Sequence, residues 1–522
     1  MAEIHTKGAK SFHQVLRHNA KQWPDRTYAH CIDQFKSMSY GALYSVSNRV
    51  AHFFQSRELK ANDRVLLLAE NSVENLAIFV SVLRYGATLA TVHVEMNRVH
   101  LLEIIRAISP KIVLFQEDIG LEELQFESSG EWIAIGNWQE NKTARTGFFG
   151  ELTHFSDKDD IESVASQGDH GVIFYTSGTV AKPKGVIQTH ETAYYNYDAT
   201  ADYLELSPGD RVFDCRSYSW LSAQHMSLGA PLVSGATVVM AKRFSKRHYF
   251  DWLKESEANV GFVVPTIVNM LINRPEKIQR NDLPHLRFLT SSSAPLLDKQ
   301  WRTFEKLYGI KLAQSCGSSE GGNTAAHRGS DRKIGTIGPA QKYQDIRIVD
   351  VDGNDLPQGE TGEIIISGGK QQAYGYLLMD GTIERLPEDG HHSGDLGFFD
   401  EDGHLQITGR LKELIIRGGM NIAPLEIDAV LMEHPDIIEA GTIGVPHPIY
   451  GEEVVSYIVC RPGNSFSCSE IIAFCKPKLS EAKLPKIIYK LDQLPKNSRG
   501  KLDRSAIASH YQKNYAESAD WS

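Results

Sequence analysis

Hydrophobic positions upstream of Asp345 follow two alternating patterns. Short runs of β-branched and other apolar residues, each long enough for one buried strand, recur at 64–68, 111–115, 171–175, 236–240, 259–264 and 286–290. Between these runs, segments such as 40–54 and 73–85 place apolar residues three or four positions apart, a spacing that predicts helices. Because alternating strands and helices favour parallel sheets with helices on both faces, the pattern predicts an α/β fold.

Downstream of Asp345 the pattern becomes richer in strands. The segments 346–351 and 362–367 read as strands, and the Asp-Gly pairs at 352–353 and 402–403 are typical of turns that join strands. These features predict a smaller β-rich subdomain after the α/β body. The remaining residues, roughly one hundred with mixed patterning, suffice for a small α+β domain. We therefore predict an N-terminal domain at 1–411 and a C-terminal domain at 412–522.

Composition narrows the functional class. Of 522 residues, 41% are hydrophobic and 23% are charged, which is typical of a globular protein and excludes a disordered one. A formal net charge of −10 argues against a nucleic-acid-binding surface. The six cysteines form no Cys-x-x-Cys pair, which argues against a zinc ribbon and fits a reducing compartment. Since the sequence shows neither a signal peptide nor a run of about 18 apolar residues, we expect a cytoplasmic protein without integral membrane contact.

The segment 175–185 combines residue types that bind phosphate. It reads Tyr-Thr-Ser-Gly-Thr-Val-Ala-Lys-Pro-Lys-Gly and follows an apolar strand. Glycines let backbone N–H groups approach an anion closely, hydroxyls donate further hydrogen bonds, and a lysine adds positive charge. The string is not a Walker loop, because Gly-x-x-x-x-Gly-Lys-Ser/Thr does not occur in the chain. Its chemistry nevertheless predicts a polyphosphate ligand.

The same string resembles the phosphate loop of the adenylate-forming superfamily, which contains acyl- and aryl-CoA ligases, luciferases and nonribosomal peptide adenylation domains. The resemblance implies that the matching residues bind ATP; they are Thr176, Ser177, Gly178, Thr179 and Lys184. It further implies that Thr179 helps to hold a magnesium ion. The chain departs from the family pattern at Val180 and Ala181, where threonine and glycine are usual.

A second match runs from Cys316 to Glu320 and reads Cys-Gly-Ser-Ser-Glu. It resembles the family motif Tyr-Gly-x-Thr-Glu, which implies that Ser319 contacts the α-phosphate and that Glu320 holds Mg²⁺ beside the phosphates. A hard cation among phosphate oxygens and one carboxylate is the coordination that Mg²⁺ prefers. Cys316 replaces the tyrosine that usually stacks on adenine.

Three later matches complete the nucleotide site by resemblance. Ser393 to Asp395 resembles the Thr-Gly-Asp motif, in which the acid binds the ribose hydroxyls, a role that a carboxylate accepting two hydrogen bonds fills well. Gly409 to Lys412 resembles the hinge motif, which implies that Arg410 contacts the nucleotide and that the small C-terminal domain rotates about Lys412. The string 495–501 resembles the motif whose lysine catalyses adenylation, here Lys501.

The resemblance implies an acyl-CoA synthetase, that is, an AMP-forming carboxylic acid–CoA ligase that uses ATP, Mg²⁺ and coenzyme A. By the same resemblance, the paired glycines Gly418 and Gly419, together with Met420, would line the CoA tunnel. Because only about twenty residues follow Lys501, too few for a carrier domain, free CoA is favoured as acceptor. The alternatives are transfer to a carrier protein, an oxygenase-type reaction, and a degenerate nucleotide-binding regulator.

The acyl pocket is the least determined part of the site. Trp220 occupies the position where relatives carry a gating aromatic or histidine, or else it is plain core packing. Further candidate lining residues are Gln224, Val264, Ser292, Ser315 and Cys316. Arg216 either faces the pocket, where it would favour a substrate with a second polar or anionic group, or pairs with Asp214 structurally.

The identity of the acid (fatty, aromatic or polar) therefore stays open at this stage. So does the choice between a monomer and a homodimer. His391 and His392 belong to no metal-ligand pattern, and we expect them at the surface or in a turn.

Overall fold

A computed structural model describes residues 10–120, 124, 130–138, 146–176, 183–367, 369–387, 390–461, 467–497 and 501–515. Three residues assigned to the phosphate loop, Ser177, Gly178 and Thr179, lie outside the described residues, and so do Val180 and Ala181. Of Thr176 the structure describes the backbone.

Helices and strands alternate from the start of the described chain. The helices are α1 (Phe12–Gln22), α2 (Tyr40–Ser56), α3 (Val73–Tyr85), α4 (Arg98–Ile108) and α5 (Gly147–Glu151). The strands are β1 (Thr27–Cys31), β2 (Lys36–Ser39), β3 (Arg64–Leu68), β4 (Thr88–Thr91), β5 (Ile112–Phe115) and β6 (Glu131–Ala134). Helices α1 to α4 each follow a serine or asparagine whose side chain accepts a backbone N–H of the first turn, which satisfies a donor that the helix leaves free.

The alternation continues through the middle of the chain. The strands are β7 (His170–Thr176), β8 (Lys184–Thr189), β9 (Arg211–Asp214), β10 (Thr237–Met240), β11 (Val260–Val263), β12 (Phe288–Ser291), β13 (Leu312–Ser318) and β14 (Gly322–Ala326). The helices are α6 (His190–Tyr203), α7 (Leu221–Ala223), α8 (Ala230–Ser234), α9 (Tyr249–Glu255), α10 (Pro265–Asn273) and α11 (Asp298–Tyr308). A π-helical segment, Gln224–Gly229, joins α7 to α8.

Strands dominate the rest of the chain. They are β15 (Asp345–Val349), β16 (Gly362–Ser367), β17 (Gly375–Leu377), β18 (Ile383–Arg385), β19 (His391–Phe399), β20 (Leu405–Arg410), β21 (Ile415–Arg417), β22 (Met420–Ile422), β23 (Ile437–His447), β24 (Gly451–Cys460) and β25 (Ile487–Lys490). The accompanying helices are α12 (Pro424–Met432), α13 (Cys468–Cys475) and α14 (Arg504–Asn514).

Two large sheets form the body of the protein. The first has the order β14-β13-β12-β11-β9-β10-β1-β2 and is parallel except at its two edges. The second has the order β18-β17-β8-β7-β4-β3-β5-β6 and is parallel from β7 to β6. Helix α3 contacts β1 and β2 of the first sheet and β3 and β4 of the second, and all of its residues are buried. It therefore lies between the two sheets, which explains its nearly continuous apolar sequence.

Two smaller sheets follow. Strands β15, β16, β19 and β20 form an antiparallel sheet, which confirms the predicted β-rich subdomain. Strands β22, β21, β24 and β23, with β25 beside β24, form the sheet of the C-terminal domain, and α12, α13 and α14 accompany it. The predicted α/β fold with a separate α+β C-terminal domain is confirmed.

One predicted strand boundary is wrong. The strand expected at 346–351 ends at Val349, because the carboxylate of Asp350 accepts hydrogen bonds from the backbone N–H groups of Asp352 and Asn354 and so fixes a turn. Val351 is consequently 97% exposed. Across the described ranges, no helix has both the length and the apolar character needed to cross a membrane.

Candidate active site

The two strands that flank the predicted phosphate loop lie side by side. Strand β7 ends at Thr176 and β8 begins at Lys184, and these two residues are partners in the antiparallel register. Gly185 follows, and a Cβ there would come within 2.9 Å of the Tyr175 ring. Glycine is therefore required for the two strands to approach at this point. The described residues on either side of the predicted loop are thus brought together, and their binding of phosphate stays a prediction.

Lys184 lies over an aromatic side chain that sequence analysis missed. Its Nζ is 4.5 Å from the centroid of the Tyr376 ring and 3.7 Å from Oε2 of Glu384. Tyr376 and Glu384 belong to β17 and β18, which extend the same sheet beyond β8. Since the Lys184 side chain is 45% exposed, these contacts orient its ammonium group without removing it from solvent.

Glu320, in the turn between β13 and β14, joins this cluster. The hydroxyl of Tyr376 donates to Oε1 of Glu320 over 2.9 Å, and Nε2 of His391 lies 3.9 Å from Oε2. Burial, and then the negative charge of Glu320, raises the pKa of Tyr376, so its hydroxyl keeps the proton that it donates. Tyr376 therefore links the ammonium of Lys184 to the carboxylate of Glu320.

The donor set at Glu320 fits the magnesium ion that the resemblance implies. Mg²⁺ is usually bound by one or two carboxylates together with phosphate oxygens and water. Among the described residues no group of three or more His, Cys, Asp or Glu side chains is arranged to hold a metal by protein ligands alone. Oε1 of Glu320 accepts from Tyr376, whereas Oε2 is 3.9 Å from His391, beyond hydrogen-bond distance, so Oε2 is the carboxylate oxygen that could bind a cation.

His391 is not where sequence analysis expected it. It lies in β19 rather than in a turn, and it is partly buried beside Glu320. Burial lowers the pKa of His391, which favours its neutral form. His392, the next residue, points the other way and is the exposed partner of Glu363, with Nδ1 3.1 Å from Oε2.

Asp395 and Arg410 face each other across neighbouring strands. They are register partners in β19 and β20, and Nε of Arg410 donates to Oδ1 of Asp395 over 2.8 Å. Burial raises the pKa of Asp395, while the charges of Arg410 and Lys501 act in the opposite direction. Sequence analysis assigned Asp395 and Arg410 to the nucleotide from two different motifs, and in the structure they form one ion pair.

A small cavity opens beside this pair. It is lined by Cys316, Gly317, Ser318, Thr324, Ile364, Ile366, Ser393, Asp395, Leu405 and Ile407. Burial raises the pKa of the Cys316 thiol to about 12, so this side chain is neutral near pH 7. The thiol and three isoleucines of the β-rich subdomain, Ile364, Ile366 and Ile407, line the cavity together. Ser319 follows directly, in the turn after β13, and is half-buried.

Lys501, from the C-terminal domain, acts electrostatically on two residues that line this cavity. Its positive charge opposes the rise that burial causes in the pKa of Cys316 and of Asp395. The backbone around it is closed by two hydrogen bonds, from Lys501 N to Asn497 Oδ1 over 3.1 Å and from Asn497 N to Lys501 O over 2.9 Å. The lysine thus lies near the Asp395–Arg410 pair, although it is roughly one hundred residues downstream of it in sequence.

The two domains also touch away from the cavity. Nζ of Lys299, in α11, donates to the backbone oxygens of Met432 and His434 over 2.8 Å each, at the C-terminal end of α12. Carbonyl oxygens at a helix end lack partners within the helix and carry partial negative charge, so a lysine there is favourable. Lys412 lies in the short 3₁₀ turn Leu411–Glu413 that joins β20 to β21, and it is exposed.

The residues predicted for the CoA tunnel form a hairpin turn. Gly418 and Gly419 have φ values of 58° and 84°, and they connect β21 to β22, whose residues Arg417 and Met420 are partners. Positive φ at both central residues is the geometry of a tight two-residue hairpin, which explains the glycine pair on backbone grounds. Met420 is 46% exposed. The assignment of these residues to CoA stays a prediction.

At the predicted acyl pocket, Trp220 caps α7 and is half-buried. Its ring stacks on that of His93, with centroids 6.1 Å apart and planes inclined by 23°. Gln224 is buried and its amide donates to Thr91 Oγ1 and to the Tyr218 carbonyl, each over 2.8 Å. These bonds give Gln224 a role in connecting the two large sheets, since Thr91 ends β4.

The remaining candidates lie at the carboxyl ends of the parallel strands. Val264 follows β11, Ser292 follows β12, and Ser315 lies within β13. Ser292 and Ser315 are buried, and Nη1 of Arg216 donates to Ser292 Oγ over 3.2 Å. Carboxyl ends of parallel strands are where open α/β sheets bind ligands.

Asp214 and Arg216 form a buried ion pair at the end of β9. Nε of Arg216 donates to Oδ1 of Asp214 over 3.0 Å, and Nη2 donates to Oδ2 over 2.8 Å. The two side chains are 0% and 3% exposed. The pairing that sequence analysis left as one of two alternatives is therefore present.

Known proteins match this chain along most of its length. A family model described as AMP-binding enzyme matches residues 16–377, and one described as AMP-binding enzyme C-terminal domain matches residues 426–501. A sulfoacetate–CoA ligase of Cupriavidus necator is 30% identical over 94% of this chain and 96% of that protein. An oxalate–CoA ligase of Arabidopsis thaliana is 28% identical over 95% of this chain and 98% of that protein.

A solved structure has the same fold. The crystal structure of ATP-bound MatB from Rhodopseudomonas palustris superposes with a TM-score of 0.86 and 25% identity, covering 96% of this chain and 99% of that one. The expected membership of the adenylate-forming superfamily is thereby confirmed. With its motifs in order and both family models matched, the chain belongs to the family of AMP-binding enzymes.

Proposed function

We propose that the protein is an acyl-CoA synthetase: it activates a carboxylic acid with ATP to an acyl-adenylate and pyrophosphate, then transfers the acyl group to coenzyme A and releases AMP. The observation that carries the proposal is the meeting of Lys501, Arg410 and Asp395 beside one cavity, since these come from three separate motifs and two domains. Relatives named as CoA ligases over nearly the whole chain support the choice of thiol acceptor.

In the first step a carboxylate oxygen of the acid attacks the α-phosphorus of ATP, and the bond from that phosphorus to the pyrophosphate oxygen breaks. The negative charges of both reactants must be neutralised for them to approach. Lys501 supplies a positive charge at the cavity, and Lys184 supplies one on the side of the phosphate loop. The magnesium ion, which Glu320 would hold with Thr179, supplies further neutralisation of phosphate charge when bound.

The other nucleotide residues would position the reactants. Asp395 can accept from the two ribose hydroxyls while Arg410 holds its carboxylate in place. Ser319, which follows the cavity-lining Ser318, would donate to the α-phosphate, and Thr176, Ser177 and Gly178 would cradle the remaining phosphates. The neutral thiol of Cys316 gives adenine an uncharged wall.

In the second step the thiol sulfur of CoA attacks the acyl carbon, the bond from that carbon to the AMP oxygen breaks, and the thiol proton is released. We propose that the C-terminal domain first rotates about Lys412, which withdraws Lys501 and brings the turn at Gly418, Gly419 and Met420 to the site. The rotation would break the two hydrogen bonds of Lys299 to the end of α12. These bonds therefore favour the arrangement that suits the first step.

The relatives also bear on the size of the acid. Two of them are named for sulfoacetate and for oxalate, small acids that each carry two acidic groups. A small polar acid, rather than a long alkyl chain, is the substrate class that these two names favour.

Isotope exchange between pyrophosphate and ATP tests the proposal. A panel of alkyl, aromatic and dicarboxylic acids is incubated with the purified protein, ATP and Mg²⁺, and we expect at least one acid to support exchange. That acid should then release AMP only when CoA is added. The proposal is wrong if no acid supports exchange, or if exchange occurs and CoA neither releases AMP nor gains an acyl group.

A further inference from the structure

Asp214 and Arg216 form their ion pair within the candidate acyl site. The edge of the Arg216 guanidinium that does not bind Asp214 has surroundings that a purely structural pair does not need. Arg216 follows β9, and its guanidinium lies 5.0 Å from the ring centroid of Phe262 in β11 and 3.2 Å from the hydroxyl of Ser292. It therefore stands at the carboxyl ends of β9, β11 and β12, in the place where parallel sheets of this kind bind ligands.

Asp214 is fully satisfied by groups around it. It accepts from the backbone N–H of Arg216, from Nε and Nη2 of the same residue, and from the hydroxyl of Ser227 over 2.6 Å. One edge of the guanidinium, formed by Nε and one N–H of Nη2, is thereby fixed in orientation. This rigid support is what a binding group needs if it is to act without reorganisation.

The opposite edge of the guanidinium has weak acceptors. Nη1 donates to Ser222 Oγ over 3.3 Å and to Ser292 Oγ over 3.2 Å, and Nη2 approaches Met226 Sδ at 3.6 Å. Hydrogen bonds from guanidinium to an oxyanion are typically about 2.7–2.9 Å, and a thioether is a poor acceptor. A buried cation thus meets two hydroxyls at long range and one sulfur, where an oxyanion would bind more strongly.

A further polar group lies on the same face. Thr290 pairs with Phe262 in the register of β11 and β12, and it is two residues from Ser292, so the three side chains share one side of the sheet. Thr290 is buried, and within the described part of the chain its hydroxyl has no hydrogen-bond partner. Such a group is costly to leave unsatisfied, and a ligand oxygen would satisfy it.

Part of this region is exposed to solvent. Ser222, which accepts from Nη1, is half-buried, and so is Trp220 two residues before it, whereas Arg216 is 3% exposed. At this partly exposed surface the ring of Trp220 stacks on that of His93.

We propose that the weakly bonded edge of Arg216, on the side of Ser222 and Ser292, binds a second oxyanion of the substrate, a carboxylate or a sulfonate, so that the enzyme selects small acids with two anionic groups. The inference rests on the proposed function and adds the substrate class and the residue that selects it. The reacting carboxylate would lie toward Lys501, and the second anion toward β9.

Matched substrates give the first test. Each dicarboxylate of two to five carbons is compared with its own monomethyl ester, which has the same chain and one charge less, by ATP–pyrophosphate exchange with the wild-type protein. We expect kcat/KM for at least one diacid to exceed that for its ester by about 10- to 100-fold, which is the effect of a hydrogen bond between charged groups. Equal or better use of the esters would overturn the inference. Exchange with esters or plain alkyl acids would still support the proposed function, whereas exchange with no acid would contradict both.

Variants at Ser222 give the second test, and they leave the ion pair intact. Ser222→Asp places a carboxylate next to Nη1, where it would occupy the weakly bonded edge and repel the second anion. We expect the diacid-to-ester ratio to fall by about 10-fold or more, whereas Ser222→Asn, of equal size and neutral, should keep most of the preference. If the diacid-to-ester ratio of kcat/KM is the same in both variants, the role of Arg216 is structural only.

A double variant removes the charge itself. Asp214→Asn with Arg216→Gln replaces the buried pair by neutral groups, which avoids a lone buried charge. We expect the ratio of diacid to ester to approach one, mainly through a raised KM for the diacid. An equal proportional loss of kcat/KM with the diacid and with its ester would contradict the inference. If the double variant does not fold, the results with Ser222→Asp and Ser222→Asn decide.

Discussion

The two ends of the candidate site handle charge in opposite ways. At the nucleotide end, Lys184 and Arg410 are 45% and 47% exposed, and each has a carboxylate partner, Glu384 and Asp395 respectively. At the acyl end, Asp214 and Arg216 are 0% and 3% exposed and are bound to each other. A polyphosphate brings its own charge and can be met by solvated, adaptable cations, whereas a small acid must find a fixed group in a dry pocket. This difference is what we expect if the nucleotide end binds a polyphosphate and the acyl end selects one class of acid.

The largest expected difference between the two ends is in how much a substitution at each end lowers the free energy of unfolding. Asp214→Asn leaves the Arg216 guanidinium buried without a counter-charge, and we expect the free energy of unfolding to fall by about 3–5 kcal/mol. Glu384→Gln, which removes the exposed partner of Lys184, should cost at most about 0.5 kcal/mol. Urea titration followed by tryptophan fluorescence measures both. Similar losses in the two variants would show that burial does not distinguish the two ends.

A second effect concerns the one lysine that the C-terminal domain brings to the site. We expect Lys501→Ala to slow acid-dependent ATP–pyrophosphate exchange by on the order of 10²–10³-fold, the usual cost of losing one electrostatic stabiliser. Formation of the thioester from supplied acyl-adenylate and CoA should persist, because Lys501 would have left the site by then. Lys513→Ala, exposed on α14 of the same domain, is the matched control. Collapse of both half-reactions together would contradict the rotation about Lys412.

The smallest effect tests the link between Lys184 and Glu320. Tyr376→Phe keeps the ring under the lysine and removes the hydroxyl that donates to the carboxylate. Because a hydrogen bond to a charged group is lost, we expect kcat/KM for ATP to fall by about 10-fold and the Mg²⁺ concentration needed for half-maximal exchange to rise. Tyr374→Phe, two residues away, should change neither. A normal Mg²⁺ dependence in Tyr376→Phe would limit Tyr376 to packing.

Much of the molecule follows from local sequence. The spacing of apolar residues predicted α3 with the same bounds that the structure shows, and it predicted β3 and β16 equally well. The order of motifs assigned Asp395 and Arg410 to the nucleotide; the two form an ion pair beside one cavity, and their binding of the nucleotide stays a prediction. The correct element bounds share a cause: the periodicity of apolar residues is set by the backbone within a few residues.

Tertiary structure alone decided the rest. Tyr376, His391 and His93 joined the site without any signal in their own segments, because their neighbours come from strands distant in sequence. The sequence by itself gave Arg216 two possible roles, and the structure shows one edge of its guanidinium on Asp214. The other edge lies toward Ser222 and Ser292, because β11 brings the ends of β9 and β12 into one sheet. The physical reason is that a side chain's chemistry depends on burial and on partners supplied by other strands, neither of which its own segment specifies.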